Sequence, residues 1–391
     1  MKKYDFETVV DRSHTFSLKW DVKDGVLPMW VADMDFKAAP EIQAALLART
    51  QEGLYGYSIL PPEWEEAYRD FYRERHQLEI PKGSLLFSSG VIPTLSSSVR
   101  AFSKPGDRVV VLPPVYHIFY HSITNNGRMP LEVPLLSKGG QYEIDWEGLE
   151  RAYREEHPAL ILFCNPENPV GRLWTREELC RLGALSRAYG VLVVSDEIHG
   201  EIVRPGLSYV PYLKASEENA HLSVSAVSPT KCFNLAGIQT SAAVVPDEKI
   251  RLRLERQLNA DEVEEPNFFA VVAAIAAYRE GREWLDEMRE VVFRNRKMVE
   301  DFVEERALPL KVLKGDATYL LWIDALELTD DVEGFNAYLE AKEGLKLSYG
   351  GVFGPGGEKF LRMNVACPEK LLREGLARLE EGARTFPGRR H

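Results

Sequence analysis

Two apolar, strand-like runs in this chain each end in residues equipped for acid–base or carbonyl chemistry. Residues 191–194 lead into Ser195-Asp196-Glu197-Ile198-His199, and residues 222–227 lead into Ser228-Pro229-Thr230-Lys231. Ligands of open α/β sheets sit at the carboxyl ends of strands. A carboxylate there can hold a proton on a heterocycle nitrogen. A lysine there can be desolvated, which lowers its pKa and frees its amine for carbonyl chemistry. Singly, these features carry little: the acidic run serves equally well for helix capping or loop solvation, and most lysines are surface residues. Lys231 gains weight from its flanks and from its place after Asp196.

Four further segments add complementary parts. Phe87-Ser88-Ser89-Gly90-Val91-Ile92-Pro93-Thr94 runs from a strand through glycine into a helical stretch at 95–102. Backbone N–H groups at such a helix start can bind a phosphate. In Asn165-Pro166-Glu167-Asn168-Pro169-Val170-Gly171, two X-Pro steps restrict the backbone and present Asn168, whose amide could bond to a ring oxygen. Pro113-Pro114-Val115-Tyr116 places Tyr116 just past the run 109–112, where its ring could stack on a planar cofactor. In Leu361-Arg362-Met363-Asn364-Val365-Ala366, strand alternation puts Leu361, Met363 and Val365 on one face and Arg362 on the other. A guanidinium so placed can hold a carboxylate through two parallel hydrogen bonds. Each segment also has an ordinary reading: a turn glycine, a Pro-rich turn, a rim tyrosine, a solvated strand face. As a set they supply a phosphate cradle, a stacking ring, an amide, a carboxylate, a lysine and a carboxylate clamp. Those are the parts that pyridoxal 5′-phosphate (PLP) requires of its protein.

The elements that must position them alternate between strand-like and helical patterns, which argues for an α/β fold. Apolar runs at 85–87, 109–112, 160–163, 191–194 and 241–245 are short and continuous, as expected of a parallel sheet buried on both faces. Residues 63–76 carry Trp64, Ala67, Tyr68, Phe71 and Tyr72 at helical spacing behind Pro61-Pro62. Residues 175–189 read as a helix closed by Gly190. The apolar stretch 268–278 reads as a core or subunit-interface helix. Residues 283–305 form one long amphipathic helix, with Leu285, Met288, Val292, Val299 and Phe302 on its apolar side, and bridge into a second domain. The expected division is a large domain at 49–285 and a smaller α+β domain built from 1–48, including a helix at 41–49, together with 286–391.

Composition narrows the function. A net charge of −12 and the lack of a basic stripe argue against a nucleic-acid partner. The stretch 268–278 is too short to span a bilayer, which takes about 20 residues, and the N-terminus lacks the apolar core of a signal peptide. Cys164, Cys180, Cys232 and Cys367 are far apart, with no metal-binding spacing, so no metal is expected and a reducing cytoplasm fits.

Over nearly its whole length the chain resembles the fold-type I PLP enzymes of the aspartate aminotransferase superfamily. It is similar in particular to the MalY/PatB-type cystathionine β-lyases (C–S lyases). That narrower resemblance rests on Trp30-Val31-Ala32-Asp33-Met34-Asp35-Phe36, Tyr55-Gly56-Tyr57, Pro113-Pro114-Val115-Tyr116, Asp196-Glu197-Ile198-His199 and Arg362-Met363-Asn364-Val365-Ala366-Cys367-Pro368. It implies a PLP-dependent transferase-like fold with a mostly parallel central sheet flanked by helices. It implies Lys231 as the Schiff-base lysine, Asp196 on the pyridinium nitrogen, Tyr116 stacked on the ring and Asn168 on ring oxygen O3′. Gly90, Val91, Ile92 and Ser228 would hold the phosphate. Tyr55 would reach the phosphate of the neighbouring subunit in a homodimer. Arg362 would bind the substrate α-carboxylate, with Asn168 and Tyr116 beside it. His199 stands where many aminotransferases carry a tyrosine that donates to O3′. This resembles the lyase branch, and the residue could equally be a core histidine near the cofactor.

The activity expected from the resemblance is α,β-elimination from a sulfur amino acid such as L-cystathionine, L-cysteine or another S-substituted cysteine, giving a thiol, pyruvate and ammonia. Transfer of the amino group to a 2-oxo acid uses the same lysine, aspartate and arginine and is the alternative. A ligand-sensing regulator on the same scaffold would usually carry a fused DNA-binding helix-turn-helix, for which this chain has no spare N-terminal domain.

Overall fold

The computed structural model describes residues 4–390; Met1 to Lys3 of the N-terminal segment and His391 lie outside them. Seven strands form the central sheet, in the order Leu85–Ser88, Ser241–Val244, Ser223–Val227, Leu192–Asp196, Leu160–Cys164, Arg108–Val111 and Met129–Glu132. The three central strands, Ser223–Val227, Leu192–Asp196 and Leu160–Cys164, are buried along their whole length. This explains why residues 160–164 and 192–194 are apolar on both faces instead of alternating; Ser223–Val227 does alternate, and its buried Ser225 hydroxyl donates to Glu197 Oε1 at 2.9 Å.

Five of these strands are mutually parallel, from Ser223–Val227 to Met129–Glu132. The run at 241–245, expected among the parallel strands, is antiparallel to both of its neighbours. The reason lies in its connection. A parallel return needs a crossover, usually through an α-helix. Between Val227 and Ser241 the chain makes only one short 3-10 helix, Ala236–Ile238, and so it comes back in the opposite direction.

Helices cover the sheet on both faces. Pro62–His76 buries Trp64, Ala67, Tyr68, Phe71 and Tyr72, the expected stripe. Arg176–Tyr189 starts at a reciprocal Thr175/Glu178 capping box and ends at Gly190, whose φ of 69° suits a residue without Cβ. Ala270–Glu280 is a core helix.

The smaller lobe holds the antiparallel strands Lys311–Val312, Leu320–Asp324, Phe360–Asn364 and Ser348–Tyr349, covered by Glu369–Thr385. The helix Arg282–Glu305 joins the two lobes. Its Leu285, Met288 and Val292 enter the core that contains Tyr68 and Phe71, whereas Val299 and Val303 enter the core under the small sheet. The N-terminal segment divides its contacts. Leu27–Pro28 pairs with Leu345–Lys346 of the smaller lobe. The helix expected at 41–49 with that lobe spans Pro40–Gln51 and lies instead along Ala270–Glu280, because Ile42 is buried in the large-lobe core.

Candidate active site

The carboxyl ends of the parallel strands open on a cavity of about 270 Å³, lined among others by Gly90, Val91, Ile92, Tyr116, Asn168, Asp196, His199 and Lys231. Segments from across more than 140 positions of sequence thus meet because consecutive strand ends meet.

Asp196 closes the strand Leu192–Asp196 and is almost wholly buried. Its Oδ1 accepts one hydrogen bond, from the Ile198 N–H at 3.0 Å. Burial pushes the carboxyl up to about 7, against the lowering pull of that hydrogen bond and of Lys231. A buried carboxylate with one donor is short of a partner, and a protonated ring nitrogen would supply it.

Lys231 lies in the loop beyond Ser223–Val227. Burial brings its amine down to about 8, opposed by the carboxylate of Asp33. Its Nζ donates to the Ala32 carbonyl at 2.5 Å. An amine held at that value is partly unprotonated near neutrality, as both attack on a carbonyl and proton abstraction require.

His199 is buried edge-to-face against Tyr319, with ring centroids 5.9 Å apart. Burial, with Lys231 and Arg362 nearby, depresses it to about 3, so the ring is neutral. Its Nδ1 has no partner among the described residues.

The helix Val91–Phe102 begins at Gly90, and no side chain caps its first turn. The N–H groups of Val91 and Ile92 are intrinsic orphans of a helix start, and this turn faces the cavity. Here an anion has both donors and a favourable dipole.

The Asn165–Gly171 turn contains cis bonds before Pro166 and Pro169. It is anchored by Asn165 Nδ2 on the Val210 carbonyl at 2.9 Å and by the Trp174 indole on the Cys164 carbonyl at 2.9 Å. From this turn Asn168 Oδ1 accepts from Arg362 Nη1 at 3.3 Å. Arg362 is buried, with Nη2 on the Trp30 carbonyl at 3.0 Å and its guanidinium 4.6 Å from the Phe353 ring centre. Its Nε is without a partner among the described residues, and burial lowers its pKa to about 10.

Three expected residues stand apart from the cavity lining: Ser228, Tyr55 and Arg362, the last of which reaches it through Asn168. The Ser228 hydroxyl donates to the Thr240 carbonyl at 2.7 Å and accepts from the Thr230 N–H at 3.1 Å. It is therefore engaged in shaping the loop, and Thr230, Thr240 and Ser89 line the cavity in its place. Tyr55 is 64% exposed, with its ring 4.9 Å from that of Phe268. The sequence reading missed Gln239 and Tyr319, which no motif marks, and the roles of Ala32 and Thr230, which lie inside quoted motifs.

Uncapped N–H groups, a carboxylate short of a cation, a depressed lysine and an unpartnered guanidinium nitrogen fit PLP and an amino-acid carboxylate together. Comparison with known proteins points the same way. The family model "Aminotransferase class I and II" matches residues 31–379. Cystathionine beta-lyase PatB of Bacillus subtilis (strain 168) is 40% identical over 385 residues, 96% of this chain and 99% of that protein. Protein MalY of Escherichia coli (strain K12) is 30% identical, over 96% of this chain and 98% of that protein. The crystal structure of cystalysin from Treponema denticola, which contains a pyridoxal 5′-phosphate cofactor, superposes with a TM-score of 0.93 at 32% identity, covering 97% of this chain and 99% of that one. The chain belongs to the aminotransferase class I and II family.

Proposed function

We propose that this protein is a PLP-dependent C–S lyase that eliminates the thiol from L-cystathionine and related S-substituted cysteines. The observation that carries the reading is one buried cavity holding both a depressed lysine amine and a carboxyl short of a cation. The similarity to a cystathionine β-lyase over nearly the full length selects the lyase chemistry.

PLP, when bound, supplies an aldehyde that bonds to amines and a pyridine ring that takes up the electron pair left at Cα. The residues do the rest. The N–H groups of Val91 and Ile92 would hold the phosphate at the helix start. Asp196 would keep a proton on the ring nitrogen. Tyr116 would pack against the ring, and Asn168 would stand at its oxygen. Arg362 and Asn168 together orient the substrate carboxylate. Lys231, released as a free amine, removes the Cα proton, and a thiolate departs from Cβ. Hydrolysis of the released enamine consumes one water and yields pyruvate and ammonia. His199, neutral through burial, adds no charge to the ring.

The test is a product assay on the purified holoenzyme with L-cystathionine, L-cysteine and an amino-acid/2-oxo-acid pair. Pyruvate formed in step with thiol is expected. Stoichiometric amino transfer without thiol release would overturn the lyase reading in favour of the aminotransferase one.

A homodimer belongs to the same proposal. Leu54, Tyr55, Tyr57 and Ile59 form a run of large apolar side chains left open to solvent in the single chain, the kind of patch that marks an interface. Across it Tyr55 would reach the phosphate of the second site. Sedimentation is expected to give a dimer, and Tyr55→Phe to weaken PLP binding about tenfold, one hydrogen bond to a charged group. An active monomer would refute this. All four cysteines are unpaired, which supports a reducing, cytoplasmic setting. No helix among the described residues is long and apolar enough to cross a membrane.

A further inference from the structure

The segment from Trp30 to Met34 has no regular secondary structure, yet each of its carbonyls is held by a side chain from elsewhere in the chain. Trp30 O accepts from Arg362 Nη2 at 3.0 Å, and Met34 O from Asn234 Nδ2 at 3.1 Å. Val31 O and Asp33 O both accept from the same atom, Asn364 Nδ2, at 2.7 and 2.6 Å. Between them, Ala32 O accepts from Lys231 Nζ at 2.5 Å and from the Tyr319 hydroxyl at 3.0 Å. The Asp33 N–H closes a three-residue turn on Val31 O at 2.9 Å. The peptide carrying the Ala32 carbonyl is thus fixed from both sides.

Asn364 is suited to this grip. It shares a face of the strand Phe360–Asn364 with Arg362, two residues earlier. It is 1% exposed, and its Oδ1 accepts from the Ala366 N–H at 2.8 Å. One amide therefore supplies two donated hydrogens and one acceptor, a combination that neither a carboxylate nor a hydroxyl can match.

We infer that Asn364 is a positioning residue for Lys231: by holding the carbonyls on either side of Ala32, it fixes the seat that catches the lysine amine whenever that amine is free. With one N–H committed to Ala32 O, the lone pair of an unprotonated Lys231 is confined to two directions instead of sweeping the cavity. Arg362 and Asn364 then set the two partners of one proton transfer from a single strand face, Arg362 through the substrate carboxylate and Asn364 through the base. The inference rests on Lys231 being the base of the proposed reaction.

The experiment follows Cα-hydrogen exchange of L-alanine in deuterium oxide by NMR, on holoenzyme whose PLP loading is read from its visible absorbance. Alanine has no leaving group, so this readout is independent of whether the enzyme is a lyase; failure of the lyase reading shows only in the pyruvate assay. Asn364→Ala removes all three bonds. Asn364→Asp keeps the size and the Ala366 acceptor, with at most one proton to donate, and serves if the alanine variant does not fold. Displacing a reacting group by about 1 Å can cost about 100-fold, so exchange per loaded site is expected to fall 10- to 100-fold in both variants. The concentration of L-alanine giving half-maximal exchange should stay within about threefold of the wild-type value. A merely structural role predicts a lower melting temperature with exchange per loaded site and its pH profile unchanged, and that outcome overturns the inference.

Discussion

Lys231→Ala is expected to lower turnover of L-cystathionine by about 10⁴-fold or more, the upper end of what a positioned general base contributes, and to remove the visible band of lysine-bound PLP. Two roles are lost with one side chain: the covalent hold on the cofactor and the base for the Cα proton. The fold should survive. The Nζ gives up one hydrogen bond, to Ala32 O, and that carbonyl keeps the Tyr319 hydroxyl. PLP should still bind through the phosphate cradle and Asp196, so the variant should retain cofactor non-covalently. Burial brings the wild-type amine to about 8, so its unprotonated fraction shrinks as pH falls below that value. An acidic limb in the wild-type rate that vanishes in the residual activity of the variant would tie the limb to Lys231. Turnover within tenfold of wild type, or a persisting lysine-bound band, would refute the assignment.

Much of this site was legible because its parts sit at the ends of buried parallel strands. Continuous apolar runs such as 160–163 and 191–194 mark those strands in the sequence, and the residue types just beyond them are the ones that touch the cavity. What stayed hidden has physical causes. Met129–Glu132 is an edge strand, partly exposed and carrying Pro130, so it lacks the apolar signature of the central strands. The reversed strand Ser241–Val244 is as fully buried as the parallel strands at the centre of the sheet, and composition carries no sign of direction. Ser228 has the right residue type at the right place, but its single hydroxyl proton is spent on Thr240 O. Ala32 takes part through its carbonyl, and a backbone atom leaves no trace in residue identity. Tyr319 arrives from the smaller lobe and is brought in only by tertiary packing.

Asp196→Asn is expected to lower turnover by about 100- to 1000-fold, the usual loss when a group stabilising transition-state charge is removed, while leaving the lysine-bound band in place. The amide keeps Oδ1 as the acceptor for the Ile198 N–H, so the loop geometry is preserved. The change lies in the other half of the group. A carboxylate accepts a hydrogen bond from a protonated ring nitrogen and balances its charge, whereas an amide NH₂ donates a hydrogen bond to an unprotonated nitrogen and favours the neutral ring, a poorer electron sink. The same residue should show in the stability of PLP-free protein. Burial raises Asp196 from an ordinary 3.8 to about 7. The folded state then holds a proton that the unfolded chain releases, so this contribution is present in full below 3.8 and is lost as pH rises through 7. His199 acts in the opposite sense. Its pKa is depressed from 6.5 to about 3, so the stability it contributes as a neutral ring is lost as pH falls. Because His199 is common to both proteins, the difference in melting temperature between wild type and Asp196→Asn isolates the aspartate. Wild type should lose ground to the variant steadily from pH 4 to pH 7, the window between the unfolded and folded values. A difference that does not change over this window would mean that burial does not raise the Asp196 carboxyl, and the PLP-free site would then not be short of a cation there.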